Sequence, residues 1–346
     1  SDMGRKIKVV NLVLDSYGSF LGMEKGCIIL RDRNRNTIRY PLFEAEIGEV
    51  VLRSGNMVST GVLSALGFWG IDVLVTTRND RPIAVLRNLE DDSHVKTRIC
   101  QYEALKNSKG VHIAKQTVLG KVLGQNQVLR KYGLRQLDVM RYREEIENTE
   151  LSYDSMRKKL LAIEGRASKH YFSEVFKMFY KELRPEKRRS FQAYDGINNT
   201  FNLVYELLFW KCYRALSKAH LEPYLGFLHT IAFGRPSLVC DFEELYRYLV
   251  DDFLINYRLN LKPRRFEART ETFNEKKGKR IYLNKPETKK LTKELHDYFK
   301  RTVMVPRVRR GNMQEIESLI NEEAFLLAKY LRNERESWTP RIVELS

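Results

Sequence analysis

The chain has 346 residues, 43% of them hydrophobic and 11% aromatic, which is long enough for two domains and too apolar for a disordered protein. Its 61 Lys and Arg against 44 Asp and Glu leave a formal net charge of +17, a surplus that points to a polyanionic partner, nucleic acid first, and says little about fold. No apolar run reaches the roughly 18 residues of a membrane span, and four scattered cysteines without a C-x-x-C pair argue against a disulfide framework or a structural zinc site.

The N-terminal stretch SDMGRKIKVV lacks the apolar centre of a signal peptide, so a reducing cytoplasm is the expected location. From Ile7 to about Leu86 short β-like runs follow one another: KVVNLVL, GCIILRD, TIRYPLF, IGEVVLRSG and IDVLVTT. Turn residues punctuate them at Tyr17-Gly18, Lys25-Gly26, Ser54-Gly55-Asn56 and Arg78-Asn79-Asp80-Arg81-Pro82, the spacing of an all-β unit. One helix interrupts, STGVLSALGFWG, with Ser59-Thr60 as N-cap and its end at Gly67 or Gly70.

After an acidic linker near residues 88 to 93 the period changes to three- and four-residue steps. A long amphipathic stretch from His94 to Gly133 opens this region. Helices are then expected at about 136 to 165, 167 to 183, 198 to 220, 241 to 257, 286 to 301 and 313 to 334, with loops at EKRRSFQAYDGINN and at a hairpin turning on Lys277-Gly278. The expected fold class is α+β in two domains: an N-terminal β-sandwich-like domain over residues 1–90 and a C-terminal all-α catalytic domain over 91–346.

Four side chains carry the candidate chemistry: Glu164, His229, Asp241 and Glu244. Asp241 and Glu244, three apart, read as the first turn of a helix with both carboxylates on one face, where they repel unless a cation lies beside them. An imidazole with carboxylate oxygens suits Mg²⁺ or Mn²⁺ better than a structural zinc. Such a metal activates a water or a hydroxyl and neutralises a phosphate, which is phosphodiester chemistry. Each piece also has an ordinary reading: a solvated N-cap pair, a buried hydrogen-bonded histidine, a helix-end glutamate. Basic clusters lie at Arg157-Lys158-Lys159, Lys187-Arg188-Arg189, Lys262-Pro263-Arg264-Arg265, Lys276-Lys277-Gly278-Lys279-Arg280 and Arg307-Val308-Arg309-Arg310. Any one of them alone reads as a solvated face, but together they offer phosphate contacts. Arg166 and Arg235 are placed to clamp a phosphate, whereas Tyr171 reads as a core aromatic.

The words around these residues, IEGRASKHYF, LEPYLGFLH, GRPSLVCDFEELYR and EEAFLLAKYL, closely resemble the motifs of CRISPR-associated protein one, the integrase of CRISPR adaptation. The N-terminal half resembles it too, in Gly48-Glu49-Val50-Val51-Leu52, Gly55-Asn56-Met57-Val58-Ser59-Thr60 and Gly70-Ile71-Asp72-Val73. The resemblance implies a metal-dependent DNA endonuclease and integrase that joins a 3′-hydroxyl of double-stranded spacer DNA to a repeat by transesterification. It also implies a homodimer formed through the N-terminal domains, and assembly with CRISPR-associated protein two. Glu164, His229 and Glu244 fall on the family's metal ligands, and Asp241 on a further carboxylate that orients water or the incoming hydroxyl. Two departures stand out: Asp195-Gly196-Ile197-Asn198 where many members have D-P-x-N, and a Gly120-Lys121 to Asn126-Gln127 element two residues longer than the common form. The competing readings are a non-catalytic DNA-binding scaffold with a structural ion site and a three-carboxylate transposase, the latter at odds with the helical pattern around Asp241. A tyrosine recombinase lacks its H-x-x-R element here.

Overall fold

The structure is a computed structural model that describes residues 8–41, 45–89, 93–149, 153–191, 193–273, 276–304 and 313–346. The basic run Arg307–Arg310 and positions 90–92 of the acidic linker lie outside these residues. The chain divides into two compact units, Ser1–Lys96 and Thr97–Ser346.

The first unit comprises β1 (Lys8–Leu14), β2 (Phe20–Glu24), β3 (Cys27–Arg31), β4 (Thr37–Pro41), β5 (Ala45–Arg53), β6 (Met57–Val58), α1 (Thr60–Phe68), β7 (Val73–Thr76) and β8 (Pro82–Leu86). They form two four-stranded sheets, ordered β1-β5-β7-β8 and β4-β3-β2-β6. Leu12 and Leu14 are buried while Val13 between them is exposed, the period-two alternation of a half-buried strand. With Leu21, Ile28, Val50, Val73 and, from α1, Val62 and Leu66, they make one core shared by both sheets. Lys25 and Gly26, both at positive φ (49° and 78°), close the β2–β3 hairpin. The Gly-Asn motif is structural here: Asn56 donates to Leu14 O at 2.8 Å and accepts from Ser19 N at 2.9 Å. Ser59 caps α1 as expected, its side chain accepting from Val62 N. Strands β2, β6 and β8 are additions to the expected runs.

The second unit contains α2 (Ser93–Ala104), inside which the boundary falls, α3 (Ser108–Lys131), α4 (Val139–Glu147), α5 (Tyr153–Val175), α6 (Gly196–Lys218), α7 (Ser237–Glu244) and α8 (Arg247–Tyr257). The hairpin β9 (Phe266–Phe273) and β10 (Lys276–Leu283), helix α9 (Lys285–Phe299), the short pair β11 (Thr302–Met304) and β12 (Met313–Glu315), and α10 (Ile316–Leu331) complete it. The α+β, two-domain class holds, and the second unit is helical with two small antiparallel additions rather than helical throughout. The hairpin does not turn on Lys277-Gly278, which pair with Thr272 and Glu271 inside β10. This register delivers Leu283 to the core and Ile281 N to Tyr194 O at 2.8 Å.

Several helix boundaries differ from expectation, among them the helices expected at about 136 to 165 and 167 to 183, which are divided instead as α4 and α5, with only short turns after Val175. The stretch from His94 to Gly133 is two helices, because the Asn107 side chain caps a fresh start by accepting from Lys109 N. Helix α5 runs through Gly165, which has open space where a Cβ would be, so this glycine neither caps nor breaks the helix. The expected helix at 241 to 257 begins earlier, at Ser237, and breaks at Leu245 and Tyr246, so Asp241 and Glu244 lie in the second half of α7, not its first turn. Helix α3 packs against α5, α7 and α8. Its glycines carry this: a Cβ on Gly120 would come within 2.7 Å of Leu245 Cδ2, and one on Gly124 within 2.5 Å of Tyr248 Cδ1. The lengthened Gly120-to-Gln127 element is thus the close-approach stripe of α3. In the other departure, Asp195 caps α6 by accepting from Asn198 N at 2.7 Å, and Gly196 makes room for the Phe266 ring. No helix among the described residues is long and apolar enough to cross a membrane.

Candidate active site

Helix α5 carries Glu164 and Ser168 one turn apart, hence on one side. Ser168 Oγ donates to Glu164 Oε1 at 2.8 Å and accepts from Gln125 Nε2 at 3.1 Å. Helix α7 ends on Glu244, and α3 sends the Lys121 ammonium between the two acids. It pairs with Glu164 Oε1 and lies 2.6 Å from Glu244 Oε2. Arg247 completes the cluster, donating to Glu244 Oε1 at 2.7 Å and to Glu243 Oε2 at 3.1 Å. Two carboxylates taken out of water this way need matching cations, since a buried charge left unpaired costs several kcal/mol.

The charges respond accordingly. Burial by itself would raise the Glu244 pKa, but Arg247 and Lys121, with His229 adding to them, bring it down to about 2. Burial alone would lower that of Lys121, yet Glu244 and Glu164 raise it above the ordinary lysine value. Both groups are held ionised.

His229 is fixed by Asp241. Asp241 Oδ1 accepts from His229 Nδ1 at 2.7 Å and from His229 N at 2.8 Å, and Oδ2 accepts from Phe227 N at 2.6 Å and Leu228 N at 2.9 Å. A carboxylate only accepts, so Nδ1 carries a proton, and Nε2 is the ring nitrogen not bonded to Asp241. The role expected for Asp241, orienting a water or hydroxyl, is not the one its geometry gives: both oxygens are consumed by four N–H donors and the residue is 1% exposed. It is a positioning group for His229 and its loop. Gly226 makes this possible, since a Cβ there would lie 2.6 Å from the Ser237 carbonyl carbon and 2.9 Å from Asp241 Oδ2. Arg157, read from sequence as part of a basic cluster, instead ties α5 to this loop by donating to Leu228 O at 2.9 Å.

Among the described residues no three His, Cys, Asp or Glu side chains are arranged around one point as metal ligands. The physical reason is visible for Glu164 and Glu244, which do converge, but on the Lys121 ammonium. The donor set of two carboxylate oxygens and an imidazole nitrogen suits a hard divalent cation, and the carboxylates already share a positive charge.

These acids face a cavity of about 470 Å³. Lys121, Lys169, Lys187, Arg188 and Arg247 line it along with Glu164, Glu244 and Asp251. Arg188 is held there by two asparagines, donating to Asn198 Oδ1 at 3.1 Å and Asn202 Oδ1 at 2.7 Å, and it lies over Phe172, Phe201 and Tyr205 at 5.1 to 5.7 Å from the ring centres. Behind it Tyr171 and Tyr205 each donate to Asp251 at 2.7 Å. Burial raises Asp251 to about 6, the two hydroxyls opposing that shift. Tyr171 is therefore a buried core aromatic with a polar handle.

Of the other basic residues singled out, Lys187 and Arg188 border the cavity, while Arg189 is held by its backbone N to Asn198 Oδ1 at 2.9 Å. Arg166 does not point into it. Two residues beyond Glu164, it faces away on α5 and pairs with Glu145. Arg235 lies on the exposed turn after His229. Lys121, Arg247, Ser168 and Asp251 were not singled out as site residues from sequence. The Gly-Lys element and the arginine three residues after Glu244 are the signals that pointed to two of them.

A sequence model of the family described as CRISPR associated protein Cas1 matches residues 12–297. The chain belongs to the Cas1 family. A relative from Pyrobaculum aerophilum, named CRISPR-associated endonuclease Cas1 2, is 31% identical over 245 residues, covering 70% of this chain and 80% of the relative. Among solved structures, a casposase bound to integration product superposes with TM-score 0.73 at 19% identity, over 96% of this chain and 97% of that one. A chain of a partial Cas6-RT-Cas1–Cas2 complex superposes with TM-score 0.75 at 18% identity, over 98% of this chain and 100% of that one. The Cas1 fold is thus shared across the full length, and two of the motifs quoted from sequence, IEGRASKHYF and GRPSLVCDFEELYR, supply residues that line the cavity.

Proposed function

We propose that this Cas1 family member is a Mg²⁺- or Mn²⁺-dependent DNA endonuclease and integrase of CRISPR adaptation, joining a 3′-hydroxyl of spacer DNA to a repeat. The observation that carries the reading is the convergence of Glu164 and Glu244 on one cation position at the edge of a cationic cavity, beside a histidine whose Nδ1 is locked by Asp241. Glu164, Glu244 and His229 Nε2 would hold the metal. When bound, it would neutralise phosphate charge and activate a water or hydroxyl.

The chain's own residues do the rest. Asp241 presents one histidine tautomer. Arg247 keeps Glu244 ionised, and Lys187 and Arg188 offer phosphate contacts at the cavity wall, with Arg189, Arg166 and Arg235 extending the path outside it. The integration product in the casposase structure and the partner protein in the Cas1–Cas2 complex support strand joining, DNA, and CRISPR-associated protein two as partner. Homodimerisation through the first unit and a cytoplasmic location, suited to four free cysteines, belong to the same proposal.

The test is Glu164→Ala and His229→Ala assayed for cleavage and strand joining with Mn²⁺ and Mg²⁺, with circular dichroism to show that the fold persists. Loss of both activities with DNA binding retained is the expected result. Folded variants that keep full activity would return the cluster to a structural ion site in a non-catalytic scaffold.

A further inference from the structure

Between His229 and α7 the chain makes a projecting turn in which every residue from Thr230 to Arg235 is exposed. Arg235 N donates to Ala232 O at 3.1 Å, and Gly234 takes φ +73°, the left-handed value this tight turn requires. Phe233, at the second position of the turn, is fully exposed, and Ile231 two residues before it is 47% exposed. Scattered apolar residues on a surface are ordinary. A fully exposed phenyl ring on a pinned turn four residues from His229 is a different case. Both ends are anchored: His229 to Asp241, Leu228 O to Arg157, and Ser237 Oγ to Gly226 N at 2.9 Å and Tyr224 O at 2.8 Å.

We infer that Phe233 is a stacking residue for a DNA base next to the reacting phosphate, a role that rests on the proposed nucleic-acid chemistry. The occupant is chosen by charge and shape together. A chain of net charge +17, with Arg235 on the same turn, draws a polyanion. Among polyanions, only one with flat π-faces rewards an exposed ring. Aromatic rings interleaved with cations are the pattern of single-strand binding, and an apolar ring at a turn tip is also the shape of a wedge that unstacks a base step. Reach fixes the register. Four residues of extended chain span at most about 14 Å, or about four base steps at 3.4 Å each, so the base contacted lies within four positions of the phosphate served by His229.

The experiment uses the full chain and DNA substrates carrying 2-aminopurine at each of the first four bases on either side of the reacting phosphate, with that region paired or unpaired. Wild type is expected to quench one position selectively. Phe233→Ala is expected to abolish that quench and to weaken binding of the unpaired substrate about 5- to 150-fold, the range for removing a stacking aromatic, while Phe233→Trp restores both. The slope of log affinity against log salt stays unchanged in Phe233→Ala, since no phosphate contact is lost, and falls by about 0.7 to 0.9 in Arg235→Ala. Phe233→Ala with wild-type quenching and affinity overturns the inference. So does a change in sedimentation of the DNA-free protein, which would make the turn a protein contact. If the wild type itself neither cleaves nor joins DNA, the proposed function fails instead, and the two failures are told apart.

Discussion

Replacing Lys121 by Met removes the ammonium between Glu164 and Glu244 while keeping most of the side-chain volume. Glu244 is held at about 2 against an ordinary 4.5, and a gap of this size corresponds to about 3 kcal/mol of native-state stabilisation. Arg247 and His229 remain after the substitution, but Glu164 loses its ion pair and the two acids then repel. Breaking a buried pair from one side costs about 3–5 kcal/mol, so we expect a loss of about 3 kcal/mol at pH 7. For a unit of this size that lowers the melting midpoint by about 6–12 °C. The sign with pH follows from the direction of the shift. A depressed carboxyl contributes fully above its unfolded pKa and loses that contribution as pH falls through the folded one, so the penalty of Lys121→Met shrinks between pH 4.5 and about 2. Urea unfolding of both proteins at neutral and acid pH measures it. Calorimetry should also show Mn²⁺ stabilising Lys121→Met more than wild type, since no ammonium has to leave the carboxylates. A midpoint at pH 7 within 2 °C of wild type, or a penalty that does not change with pH, would refute the argument that Lys121 is the internal counter-cation of this pair.

Asp241→Asn replaces a pure acceptor facing four N–H donors with a group that is itself half donor. We expect a loss of about 2–3 kcal/mol in denaturation and an altered His229 tautomer ratio in nitrogen NMR. Asp251, raised to about 6 from 3.8, behaves oppositely to Glu244: its folded form binds the proton more tightly, so its contribution is full below about 4 and is lost as pH rises through about 6. Relative to wild type, the Asn variant at this position should therefore gain about 3 kcal/mol between pH 4 and pH 7 in paired urea titrations. Arg166→Ala removes an exposed pair with Glu145 and should change stability by under about 0.5 kcal/mol, leaving strand joining at saturating DNA near wild type. Arg188→Ala, which empties a site bounded by three rings and two asparagine acceptors, should cost about 2–3 kcal/mol and weaken DNA binding, read by denaturation and a gel-shift titration.

Several local features are legible in the sequence, although the turn signal at Lys277-Gly278 is not where the β9–β10 hairpin turns. The alternation around Leu12 to Leu14 and the turn at Lys25-Gly26 follow from period and φ alone, as does the cap at Ser59, because each depends on neighbours within a few residues. Gly165 misled because its helix cost of about 1 kcal/mol is small beside the packing of α5, and packing is not local. Asp241 and Glu244 were placed on one helix face by spacing, but their carboxylates serve opposite ends of the site. One is turned back onto the amides of Phe227 to His229, the other forward onto Lys121 and Arg247.

By itself the sequence determined the two-part organisation, the basic character, the family motifs and the four side chains of the candidate site, since these reside in composition and in words of adjacent residues. Only the tertiary structure decided the roles. Lys121 lies 43 residues from Glu164 along the chain, and no spacing rule reveals that its ammonium sits where two acids meet. Nor does spacing show that Arg166 faces away from the cavity while Phe233 stands clear of the surface. Charge neutralisation and exposure belong to positions in space, and those are set when helices remote in sequence pack.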